Sequence, residues 1–172
     1  PYDGFVAKYT SAGAYVFAFL IGGAGVDVFN DIASDNSGNI YVTGYANATS
    51  LDLDPSSSTA TATAQGGGEN IMLASYSSTG QYRWGKLIGN SGADHGRRLT
   101  VSGNSVLVTG WFSNTVDFNQ GGSSSANQSS NGNTDIFVSR YSLTGNYECS
   151  FGAGSGGADM GYGITTDASG FM

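Results

Sequence analysis

The sequence predicts an all-β fold assembled from repeated four-stranded antiparallel sheets, and three observations carry that expectation. First, one string returns along the chain: DGFVAKYTSAG (3 to 13), NIMLASYSSTG (70 to 80) and DIFVSRYSLTG (135 to 145). Second, an independent marker keeps the same interval. GGAGVDVFNDIASDNSG starts at Gly22, GNSGADHGRRLTVSG at Gly89 and GSGGADMGYGITTDASG at Gly154. The closing glycines Gly13, Gly80 and Gly145 lie 67 and 65 residues apart, and so do Asp27, Asp94 and Asp159. Third, 28 Gly, 10 Tyr and 9 Phe beside 2 Pro describe a turn-rich, aromatic-rich β protein, and no segment sustains a helical period.

Each element can be justified in order. VFNDIASD (28 to 35) reads as a strand closed by the turn NSGN, and IYVTGYA (40 to 46) runs on from it toward SLDLD. PSSSTATATAQGGGE (55 to 69) is too polar to pack and is expected to be a mobile outer connection, as is 119 to 134. NIMLASY (70 to 76), the turn SSTGQ and YRWGKLIG (82 to 89) complete the period. Gly, Asn and Ser in the turns supply positive φ and local side-chain hydrogen bonds.

The strands are apolar on both faces. Ile40, Val42 and Gly44 alternate with Tyr41, Thr43 and Tyr45; Val106, Val108 and Gly110 alternate with Leu107, Thr109 and Trp111. Such a sheet must be covered on both sides. Gly44 and Gly110 share a register, where a missing side chain is expected to let a neighbouring sheet approach. Four-stranded sheets buried on both faces and repeated radially are the blades of a β-propeller. The duplicated VTG strand is then read as the inner strand of successive blades. The chain holds about 2.6 periods of roughly 66 residues, with repeats at 3–69, 70–134 and 135–172 and half-blades at 3–21 and 158–172. A chain that opens at PYDGF and stops at DASGFM, where another strand is due, is expected to be an excerpt of a longer protein.

The order D-x-F-V-x-K/R-Y-x-x-x-G, then GG-x-G-x-D, then I-x-x-D-x-S-G-N-x-Y-V-T-G resembles the SBBP-type β-propeller repeat. The resemblance implies an extracellular, bacterial propeller inside a long surface or secreted protein, and supplies no catalytic residues. The second repeat departs from the pattern, with Ser102 in place of Asp35 and Leu107 in place of Tyr41.

Charge narrows the partners. The formal charge is -7 with 6 Lys and Arg, against a nucleic-acid footprint and against anionic membranes. No apolar run reaches membrane-spanning length. Asp27, Asp94 and Asp159 read as acceptors of backbone hydrogen bonds at the blade-entry turn; their Gly-rich motif lacks the nine-residue tandem of a calcium β-roll. No cofactor is expected, calcium being the one alternative, at Asp35 or at Asp52 and Asp54, against plain Asx turns. ADHGRR gathers Asp94, His95, Arg97 and Arg98, read as a surface cluster with local ion pairs rather than a catalytic site. Cys149, standing where the second repeat has Trp84, reads as a small core residue. Tyr45 and Trp111, ending the VTG strands, either fill space between blades or stack on a ligand at the rim. Asn47 and Asn127 open glycosylation sequons.

The expectation is a non-enzymatic binding or adhesion scaffold on a bacterial cell surface or in a secreted protein. Its partner would be a protein or glycan at the rim, or the rest of a larger assembly. Two alternatives stand beside it: a structural spacer or fibre subunit without a ligand, and part of a propeller hydrolase or lyase whose active residues lie in other blades.

Overall fold

The computed structural model describes residues 2–167, and all regular elements among them are strands. A hairpin of β1 (Gly4–Tyr9) and β2 (Tyr15–Ile21) opens the chain. β3 (Asp27–Ser34) and β4 (Ile40–Ala46) pair next, followed by a small hairpin of β5 (Ser50–Asp52) and β6 (Thr61–Thr63). β7 (Gly68–Tyr76) and β8 (Tyr82–Ile88) complete a sheet ordered β3-β4-β7-β8, whose β7 also takes the short parallel strand β9 (Gly92–Ala93). The next period repeats the plan. β10 (His95–Ser102), β11 (Ser105–Phe112), β14 (Asp135–Ser142) and β15 (Tyr147–Ala153) form an antiparallel sheet in that order, with β12 (Thr115–Asp117) and β13 (Asn127–Ser129) as its small hairpin. Residues 158–167 lie along the far side of this sheet, where Gly161 N–H donates to Gly110 O at 3.1 Å. Ala168 to Met172, the rest of the expected half-blade, fall outside the described residues.

The two-sided apolar pattern explains the stacking. On one face of the first sheet Ile40, Val42, Met72, Ala74 and Tyr76 pack with Val6 and Ile21 of the opening hairpin. On the other, Tyr41, Ile71 and Leu73 share a core with Leu99, Val106, Val108, Phe137 and Tyr141 of the second sheet. Every one of these residues is buried. The sheets converge where β10 lies against β3, β4 and β7. There Asn30 Nδ2 donates to Gly96 O at 2.9 Å and Leu99 N–H to Asp31 Oδ2 at 2.8 Å.

Main-chain bonds also tie each repeat to the next. Asp27 N–H donates to Tyr2 O, Asp94 N–H to Glu69 O and Asp159 N–H to Thr134 O, at 2.7 to 2.8 Å. Each lies beside a parallel pairing: Tyr2 with Val26, Gly68 and Glu69 with Gly92 and Ala93, Thr134 with Ala158.

Three expectations change. The VTG strands, β4 and β11, are not at the inner edge but second in the sheet, bonded on both sides; β3 and β10 form the edge where the sheets converge. The loops at 55–69 and 119–134 are not loose connections. They hold β6 and β13, because Leu51 and Leu53 in the first repeat, and Val116 and Phe118 in the second, are buried and anchor the hairpins. Tyr76 Oη donates to Leu53 O at 3.1 Å and Tyr141 Oη to Phe118 O at 2.8 Å, tying each hairpin to its sheet. Finally, Gly44 and Gly110 face their own edge strand first. A Cβ there would meet Val28 O and His95 O, because β-bulges at Phe29/Asp31 and Gly96/Arg98 push those carbonyls inward. The next sheet or segment still comes close at both positions, Gly96 against Thr43 and Gly44 and Gly161 against Thr109 and Gly110.

Candidate functional site

The two bulges build the most distinctive cluster of side chains. In the edge strands the bulged residues Asn30 and Arg97 drop out of the ladder, and Arg97 Nη1 donates to Asn30 Oδ1 at 3.3 Å. Just before the second bulge, His95 stands opposite Trp111 in the β10–β11 register. Its ring lies between two others. Tyr45 of β4 stacks on it at 4.0 Å with a 10° interplanar angle, and Trp111 at 4.8 Å and 30°. Tyr162 continues the row, 5.9 Å from Trp111, and Arg97 covers the Tyr162 ring at 5.6 Å. Four rings thus run from the first sheet, across the second, to the segment beyond it.

Charge enters this row through Glu69, whose Oε2 sits 2.6 Å from His95 Nε2. Glu69 is fixed by the hand-over to β9, since its carbonyl accepts the Asp94 amide. Tyr45, His95 and Trp111 are half-buried, so their faces are used on one another while their edges reach the surface; Tyr162 is 59% exposed. The arrangement offers a row of ring edges with a carboxylate–imidazole pair in it. Stacking holds the His95 ring, and its carboxylate partner comes from another strand rather than from Asp94.

The other residues singled out in the sequence are separated from this row or serve the backbone. Asp27 accepts from Gly23 N–H, Asp94 from Asn90 N–H and Asp159 from Ser155 N–H, each four residues upstream and at 2.7 to 3.0 Å. Burial pushes the Asp94 carboxyl above its ordinary range, opposed by the amides of Ser113 and Asn90; Asp27 is likewise raised by burial. The ADHGRR cluster is not one of local ion pairs: Asp94 is buried, His95 pairs with Glu69, and Arg97 and Arg98 reach back to Asn30 of the preceding sheet.

Asp52 and Asp54 cap the β5–β6 turn, accepting the amides of Asp54 and Ala60, and of Ser56, through Oδ1. Asp35 accepts the amides of Ser37 and Asn39, the Asn39 side chain, and Tyr41 Oη. Burial acts to raise its carboxyl, but these hydrogen bonds outweigh it and hold it below the ordinary 3.8. Among the described residues no group of three or more His, Cys, Asp or Glu is placed to hold a metal ion. The departures of the second repeat are coupled. Arg83 Nη1 bonds Tyr41 Oη and Ser75 Oγ in the first repeat. In the second, where Leu107 and Ser102 remove that network, Arg140 Nε and Ser105 Oγ both meet Glu148 Oε2 instead. Glu148 stands where Arg83 does, and Arg140 where Ser75 does.

Cys149 is exposed, not a core residue. Trp84, its counterpart, is covered by the second sheet: its Nε1 donates to Leu143 O at 3.0 Å and a Cβ at Gly145 would meet its ring at 2.7 Å. β15 ends the sheet order and no described sheet covers Cys149.

Period, stacked sheets and converging edge strands are what a propeller requires, and the comparisons agree. Residues 17–52 match the family model of the SBBP β-propeller repeat. The match runs from β2 to β5, so it crosses the seam between two blades. A curated relative, an uncharacterized WD repeat-containing protein of Acanthamoeba polyphaga mimivirus, is 24% identical over 119 residues. The similarity covers 64% of this chain and 9% of that protein's own length, and its source is a virus rather than a bacterium. Both comparisons point to a propeller scaffold.

Sequence reasoning reached Tyr45, Trp111 and His95 but missed Glu69 and Tyr162. Glu69 lies 26 residues from His95 at the end of a polar loop. Tyr162 sits at the bulge position that is Asn30 and Arg97 in the earlier repeats, where residue type changes each time.

Proposed function

We propose that this chain is a non-enzymatic binding scaffold, a propeller segment of an extracellular surface or secreted protein that holds a protein or glycan partner at the end of its strands. The observation that carries the reading is the continuous row Tyr45–His95–Trp111–Tyr162, with Glu69 bonded into it. Rings with exposed edges give contact area at low entropic cost. The propeller repeat supports it too, because stacked blades hold such rings at fixed spacing. The acidic balance, -7 overall, fits a soluble setting away from nucleic acid and anionic lipid.

The test is a screen of the purified chain on a glycan array and against extracellular protein fractions, repeated with Trp111→Ala and Tyr45→Ala. A specific hit should weaken about 10-fold or more in either variant, as for an aromatic hot spot. Hits indifferent to both substitutions would remove the row from the function. Turnover of a polysaccharide or peptide that depends on His95 would replace the scaffold reading with an enzymatic one.

A further inference from the structure

A second place on the molecule, away from the aromatic row, has the chemistry of a binding site. β2, the turn after β5 and the turn between β7 and β8 line a groove of about 400 Å³. Phe17, Phe19, Tyr82, Gly80 and Asp54 are among the residues that line it. Phe17 and Phe19 lie nearly parallel, 6.0 Å apart at 10°. Asp54 and the adjacent Asp52 cap their turn through Oδ1, and neither forms an ion pair among the described residues. Burial pushes the Tyr82 phenol up, and the negative charge of Asp54 and Asp52 adds to it, so their field reaches the groove wall. Lys8 lies over Phe17 at 6.0 Å, but its Nζ is bonded to Ser78 O and it lines a neighbouring cavity.

The next seam inverts this character. Trp84 stands where Phe17 does, Lys86 where Phe19 does and Asn119 where Asp54 does. Gly145 lies against the Trp84 ring as Gly80 does against Phe17, Leu143 O accepts from Trp84 Nε1, and the smaller groove beside it, about 240 Å³, is lined by Lys86, Gly85 and Gln120. One fold therefore offers an aromatic, acidic slot at one seam and a lysine-lined one at the other.

The geometry points to the first seam as a site for a cationic side chain, an arginine presented by a basic segment of a protein partner. A guanidinium is planar, stacks on aromatic faces and bonds a carboxylate edge-on, and the slot supplies both. The net charge of -7 steers such a segment toward the surface.

Titration calorimetry at low ionic strength tests this with a capped tetra-arginine peptide. Asp54→Asn keeps the Oδ1 that accepts the Ser56 amide and should weaken binding about 5-fold or more. Asp54→Asn with Phe19→Lys, which gives the seam the residues of its neighbour, should weaken it about 20-fold. Glu148→Gln removes the same charge at a distant strand and should change it less than about 2-fold. Tetra-lysine should bind several-fold more weakly than tetra-arginine, lacking the planar stack. No measurable binding of tetra-arginine to the unsubstituted chain overturns the proposal. An equal loss with Glu148→Gln overturns it too, reducing the effect to net-charge attraction, and competition by neutral maltohexaose would make the groove a sugar site. If the double variant unfolds, Asp54→Asn decides alone.

Discussion

Replacing Tyr141 by Phe tests how the small hairpins are held. The hydroxyl donates to Phe118 O at 2.8 Å, and both residues are buried. The ring stays, so apolar burial is nearly unchanged. What is lost is one hydrogen bond, and a carbonyl is left without it in a place water does not reach. Stranding a buried acceptor costs about 1–3 kcal/mol. For a chain of this size each kcal/mol moves Tm by roughly 2–4 °C, so Tyr141→Phe should lower it by about 2–12 °C. The molecule contains its own control. Tyr9 occupies the same place in the repeat, is 58% exposed, and should tolerate Phe within about 0.3 kcal/mol. Urea unfolding followed by tryptophan fluorescence, with thermal melts alongside, measures both. Equal effects at Tyr9 and Tyr141, or none at Tyr141, would show that the hairpin is held by something other than this bond.

Gly110→Ala drives a Cβ into His95 O, so β10 must shift; a loss of about 2 kcal/mol or more in urea unfolding is expected, and a neutral outcome would mean the edge strand moves freely. Trp84→Ala removes a ring packed on the core between the sheets and the bond to Leu143 O, and should cost about 2–4 kcal/mol by the same assay; under about 1 kcal/mol would mean the seam is not a stability element. Asp35 has its carboxyl held below the ordinary 3.8, so its contribution is present above that value and lost as pH falls through the lowered one. Melts from pH 6 down to pH 2 should therefore fall more steeply for the wild type than for Asp35→Asn, and parallel curves would refute the hydrogen-bond account.

The repeat was legible because its markers are backbone necessities. Gly13, Gly80 and Gly145 all take positive φ, near 80°, so the turn demands the same residue each time. The four long strands of each period were legible for a related reason, as burial on both faces leaves a continuous apolar run. The three-residue strands β6 and β13 were hidden, because three paired residues of small or polar type leave no periodic signal and the anchors Leu53 and Phe118 lie outside the strands. The row of rings was half legible. Tyr45 and Trp111 end matching strands, but bulges shift the facing residues by one and so bring His95 between them. The exposure of Cys149 was beyond sequence reasoning of this kind, since what covers its position in one repeat is the turn glycine of the next.

The parallel pairings that carry the chain from one sheet to the next have a mechanical meaning. Sheets joined by side chains alone are held by packing, without directional main-chain bonds between them. Here, turning one sheet against its neighbour would stretch main-chain bonds at Asp27, Asp94 and Asp159, so the stack resists shear and flexes as a stiff arc. Features carried on different sheets accordingly keep a set separation, as the teeth of a comb do, and a partner touching two of them would meet them with little slack.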